Sequence, residues 1–188
     1  MKRHIPMALT WIRVGLVPVM AVIYLSPWHL GHAIAAVLFA CASVSDWLDG
    51  ALARHWQVTT AFGAFLDPVA DKILVSTVLI ALVHKQPQLW LAIPAMLIIG
   101  REIIISALRE WMAQRGQSDK VAVHFSGKLK TAFQMGAMLL LLAFETGVVH
   151  NSGIVLLNIA AGLSLYSLVG YFRSAWVAMN LDKQASIN

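Results

Sequence analysis

Six apolar stretches, at roughly 7–25, 31–54, 61–84, 88–114, 120–146 and 152–178, take up most of this chain, and each is about long enough to cross a lipid bilayer. Breakers separate them: Ser26-Pro27 and Gly31, Gln57 to Thr60, Gln86-Pro87, Gly116 to Asp119, and Gly147 to Gly153. Inside a bilayer no water satisfies the backbone, so segments of this length must be helices. The pattern predicts an all-α, polytopic membrane protein, a six-transmembrane-helix bundle forming one domain over residues 1–188. With 59% apolar and 12% charged residues, a soluble globule is excluded.

The basic residues orient the bundle. With both ends cytoplasmic, Lys2, Arg3, Arg54, Arg115, Lys120, Arg173 and Lys183 fall at or near inner ends, while Lys85 lies in an outer connection. Trp28 and Trp90 then mark the outer interface, Trp56 and Trp111 the inner one. The N-terminal stretch is expected to be a retained helix, because Arg13 interrupts its apolar core and no small-residue cleavage site follows. Cys41 is a lone cysteine in an apolar run, so no disulfide framework is expected. The net charge of +5 is scattered among apolar segments, which fits anionic lipid or a phosphorylated substrate and not nucleic acid.

Against this background, four carboxylates stand out. Asp46 and Asp49 share a helix face with Gly50, Ala53 and Arg54, and Gly63, Asp67 and Asp71, spaced by four, share another. A charged side chain at the middle of a spanning helix costs about 2.5–3.5 kcal/mol, and four acids together also repel. One or two divalent cations relieve both costs, and oxygen-only donors favour Mg²⁺, Mn²⁺ or Ca²⁺. Helix capping, or pairing with Arg54 and Lys72, accounts for Asp67 at best. In the same inner half lie Arg101 and Arg109 on the fourth segment and Lys128 and Lys130 on the fifth. Charges within spanning helices face the interior, so a polar cavity open to the cytoplasm is expected. Some of these cations can instead pair with Glu102, Glu110 or an aspartate. Metal-binding carboxylates beside cations suit phosphoryl transfer.

The spacing Asp46-x-x-Asp49-Gly50-x-x-Ala53-Arg54, eight residues, then Gly63-x-x-x-Asp67-x-x-x-Asp71 resembles the signature of the CDP-alcohol phosphatidyltransferase family, with every fixed position filled. The resemblance implies two divalent ions, Mg²⁺ or Mn²⁺, held by Asp46, Asp49, Asp67 and Asp71, with Asp71 also the catalytic base. It implies that Gly50, Arg54, Thr60 and Gly63 bind the CDP-linked lipid. The segments IPMALTWIRVGLVP, FGAFLDPVADK, REIIISALREWMA and VAVHFSGKLKT look like those bacterial members that join CDP-diacylglycerol to sn-glycerol 3-phosphate. An acceptor bearing its own phosphate needs cations, for which Arg101, Arg109, Lys128 and Lys130 are the candidates. By the same resemblance the protein is a homodimer in the bacterial inner membrane, with its site facing the cytoplasm. A sister transferase using serine, inositol phosphate or phosphatidylglycerol as acceptor is the nearest alternative. A divalent-cation transporter is a remote one, because it has no use for the cations.

Overall fold

A computed structural model describes the backbone of residues 5–56, 61–115 and 125–185, and within them the side chains of 11–45, 63, 65–115, 129–173 and 176. Among the described residues the regular structure is entirely helical, as the apolar segments require. The helices are α1 (Ile5–Leu25), α2 (Gly31–Trp56), α3 (Ala61–Lys85), α4 (Leu89–Gln114), α5 (Phe125–Ala143) and α6 (Gly147–Ala185). Pro18, Pro68 and Pro94 lie inside α1, α3 and α4, which is tolerated where neighbouring helices satisfy the freed backbone groups. Several serine hydroxyls in the apolar runs are satisfied within their own helix, as where Ser43 donates to the Phe39 carbonyl at 2.8 Å and Ser106 to that of Glu102 at 2.6 Å.

The expected segments 31–54, 61–84 and 88–114 coincide with α2, α3 and α4 to within two residues. The last connection differs. The expected break at Gly147 to Gly153 is helix, and the reversal is confined to residues 144–146. The two glycines there do different work. Gly147 has φ +91°, the left-handed backbone that starts α6. Gly153 instead lets α6 lie close on α5, since a Cβ there would sit 2.9 Å from Leu141 Cγ. His150 Nδ1, 2.9 Å from the Phe144 carbonyl oxygen, ties the turn together.

Packing is most extensive between α5 and α6 and between α1 and α2, followed by α4 on α6 and α1 on α3. Consecutive α3 and α4 touch far less. Phe39, Leu74, Leu79, Leu82, Ile98, Met138, Leu141 and Leu157 fill the core. Fully buried Ala35, Ala70, Ala137 and Ala160 let helix backbones come close. Outward, Val22, Val37, Ile80, Trp90, Met96 and Val155 are each more than half exposed. So continuous an apolar exterior is the surface of a protein solvated by lipid. Two of its segments, Leu89–Gln114 and Gly147–Arg173, are long and apolar enough to cross a membrane, with mean hydropathy 1.9 and 1.8.

At the end of the bundle away from the carboxylates, Lys85 closes a small polar tie. Its Nζ lies 2.6 Å from Glu145 Oε1, donates to the Tyr24 carbonyl at 3.4 Å and sits 4.6 Å from the Tyr24 ring centre. The hydrogen bond from Lys85 holds the Glu145 carboxyl below the usual carboxylate range.

Candidate active site

Helical spacing on α3 puts Gly63, Asp67 and Asp71 on one face, a turn apart. Asp67 is exposed; Gly63 and Asp71 are half-buried. Asp71 lines a cavity of about 700 Å³ between α3 and α4, together with Lys72, Arg101, Glu102, Ser106, Arg109 and Glu110. Phe65, Pro68, Val69 and Ile105 supply its apolar wall. The thin packing of α3 on α4 is what leaves this space.

Positions 46, 49, 50 and 54 lie on α2, which stays helical through Trp56. The side chains of Asp46, Asp49, Gly50 and Arg54 fall outside the described residues, as does that of Lys128 on α5, and Thr60 lies outside them altogether. Each of α1 and α5 packs on both α2 and α3 and so brackets the pair. Asp67 and Asp71 offer hard carboxylate oxygens one turn apart, a donor chemistry that fits Mg²⁺ or Mn²⁺ and not a softer metal. Among the described residues no three His, Cys, Asp or Glu side chains converge.

The cations on α4 and α5 meet around a residue not singled out as a ligand. Glu102 Oε1 accepts hydrogen bonds from Arg101 Nη1 at 3.0 Å and from Lys130 Nζ. Arg101 and Lys130 are buried, and the shared carboxylate compensates two charges that would otherwise be stranded in the interior. Arg101 Nη2 also donates to Ser167 Oγ at 2.9 Å. One turn further along α6, the Tyr171 hydroxyl accepts a hydrogen bond from Arg109 Nη2 at 2.9 Å. The Tyr171 ring centre lies 5.7 Å from the Arg101 guanidinium carbon and 5.5 Å from that of Arg109. Ser167 and Tyr171, four apart on α6, thus meet Arg101 and Arg109, eight apart on α4. Arg101, Arg109 and Asp71 are therefore brought to one cavity, and Lys130 reaches it through Glu102.

Residues 3–169 match the family described as CDP-alcohol phosphatidyltransferase. The chain belongs to that family. Similar family members include proteins named CDP-diacylglycerol--glycerol-3-phosphate 3-phosphatidyltransferase. That of Haemophilus influenzae is 47% identical over 175 residues, covering 93% of this chain and 95% of the relative. Those of Yersinia pestis (strain Pestoides F) and Salmonella choleraesuis are each 44% identical, covering 94% and 93% of this chain and 97% and 96% of theirs. The CDP-alcohol phosphatidyltransferase match ends just before Tyr171, so that residue was beyond the reach of the motif. Its only sequence signal is the four-residue spacing from Ser167 in an apolar helix. Glu102 had a stronger one, as an acid directly following Arg101 within a spanning segment.

Proposed function

We propose that this CDP-alcohol phosphatidyltransferase moves the phosphatidyl group of CDP-diacylglycerol to a hydroxyl of sn-glycerol 3-phosphate, giving phosphatidylglycerophosphate and CMP. The observation that carries the reading is that Asp71 lines the same cavity as Arg101 and Arg109. A proton acceptor and phosphate-binding cations then face one space inside a lipid-solvated bundle. The name shared by the similar relatives supports the choice of acceptor.

In this mechanism Arg101 and Lys130 receive the acceptor's phosphate, which competes with Glu102 for them, and Arg109 and Lys128 add positive charge. Asp71 takes the proton of the attacking hydroxyl as its oxygen bonds to the lipid-linked phosphorus. The bond from that phosphorus to the CMP oxygen breaks, and CMP leaves with the electron pair. Arg54 holds the nucleotide phosphates through its planar fork. Gly50 admits the nucleotide close to the α2 backbone, with Gly63 and Thr60 beside it. Asp46, Asp49, Asp67 and Asp71 would hold two divalent ions, Mg²⁺ or Mn²⁺, whose charge, when bound, offsets that of the pyrophosphate and the leaving oxygen. All six helices cross the bacterial inner membrane, with the site facing the cytoplasm, and the protein works as a homodimer.

The test is purified protein with CDP-diacylglycerol and labelled glycerol 3-phosphate. CMP is expected only when both substrates and a divalent ion are present, and EDTA abolishes it. Full activity in chelator would end the metal assignment. CMP release with serine or inositol phosphate, but not with glycerol 3-phosphate, would assign a sister reaction instead.

A further inference from the structure

Gln134 lies one helical turn beyond Lys130 on α5, so the two side chains share a face. It is 3% exposed, and its Oε1 accepts no hydrogen bond among the described residues. Buried amide oxygens are nearly always paired, so an unpaired one calls for a partner such as a water or a ligand group. Gln134 lines a small pocket of about 20 Å³ with Asp71, Lys72, Glu102, Lys130 and Thr131. That is room for one oxygen-sized group. Asp71, Lys72 and Glu102 also line the large cavity, so the two spaces adjoin.

We infer that Gln134 binds the hydroxyl of the acceptor that does not react, and by holding it presents the other hydroxyl to Asp71. The inference rests on glycerol 3-phosphate being the acceptor. That molecule carries one phosphate and two hydroxyls, and the phosphate and the reacting hydroxyl already have partners in Lys130 with Arg101 and in Asp71. Gln134 offers the remaining hydroxyl a buried amide whose oxygen has no other partner among the described residues. One turn of α5 separates Lys130 from Gln134 by about 6 Å along the helix, close enough for the two flexible side chains to meet a phosphate and a hydroxyl carried on adjacent carbons. An amide both donates and accepts, as a hydroxyl does, so the pair is matched whichever way the amide is turned. In the free protein the pocket suits a water molecule, which the substrate hydroxyl replaces.

The experiment compares glycerol 3-phosphate with 3-hydroxypropyl phosphate, which lacks the middle hydroxyl, using the purified full chain and CMP release. Wild type is expected to favour glycerol 3-phosphate by roughly 10- to 100-fold in kcat/KM, the usual cost of leaving a buried partner unmatched. Gln134→Met should lose a similar factor with glycerol 3-phosphate while its use of the analogue stays within about twofold, so the preference collapses. A purely structural role would lower both acceptors alike. Equal use of the two acceptors by wild type, or a wild-type preference retained by Gln134→Met, overturns the inference. Should Gln134→Met fail to fold, Gln134→Asn draws the amide back by one methylene and is expected to lose the preference too; a retained preference overturns the inference again. If wild type releases no CMP with glycerol 3-phosphate, the acceptor itself is wrong, a result distinct from equal use of both.

Discussion

Asp71 is half-buried on the face of α3 that meets Arg101 and Glu102 across the cavity, a position suited to taking a proton from a bound hydroxyl. Asp71→Asn is expected to keep the fold and lower turnover by roughly 100- to 10,000-fold; near-normal turnover would remove it as base. Glu102 carries a different burden. Glu102→Ala leaves two buried cations without their carboxylate, which costs about 3–5 kcal/mol when such a pair is broken. Because the Glu102 side chain is 21% exposed, the lower end of that range is expected, read as a lower unfolding temperature in detergent. The outer pair Lys85–Glu145 is more exposed and contributes at most about 0.5 kcal/mol. Its sign follows from the lowered Glu145 pKa. The contribution is present above the ordinary value of 4.5 and is lost as pH falls through the native one. Glu145→Gln should flatten that acid-side loss in a pH series of unfolding temperatures. The charged residues of this site were legible because lipid-spanning helices rarely tolerate them. Gln134, Ser167 and Tyr171 were not, since uncharged polar residues in an apolar run acquire meaning only from the helix opposite.

Among the helices, the pair α5 and α6 shows most directly how local sequence was misread and why. The run from Gly147 to Gly153 holds two glycines and an Asn-Ser pair, the usual marks of a loop. One glycine serves the turn and the other serves packing, a distinction that depends on Leu141 of the neighbouring helix. Gly153→Ala is therefore expected to destabilise by about 1–3 kcal/mol through overpacking, read by thermal unfolding in detergent. At Gly31 the obstacle is harder, because a Cβ would lie 2.6 Å from the Ile23 backbone oxygen. Gly31→Ala should therefore cost more than Gly153→Ala, since a carbonyl at the end of α1 yields less than a leucine side chain. The bounds of α2, α3 and α4 were readable from hydropathy and breakers, whereas α6 runs to Ala185, seven residues past the expected end at 178.

Across the whole molecule, hydropathy and charge point to a lipid-solvated helical bundle whose polar residues turn inward. The proposed orientation puts Lys85 and Arg115 on opposite sides of the membrane. In a Cys41→Ser background, a cysteine at position 85 is expected to react with an impermeant maleimide from outside, and one at position 115 only after the membrane is opened. The reverse labelling would invert the bundle. Helix packing order, in contrast, was not legible, because sequence neighbours α3 and α4 scarcely touch while α4 leans on α6. That choice gives α6 a duty its composition hides. A chain clipped at residue 169, where the family-model match ends, would lose the aromatic ring on which both guanidinium groups rest. The smallest working version of this enzyme is therefore expected to reach at least as far as Tyr171.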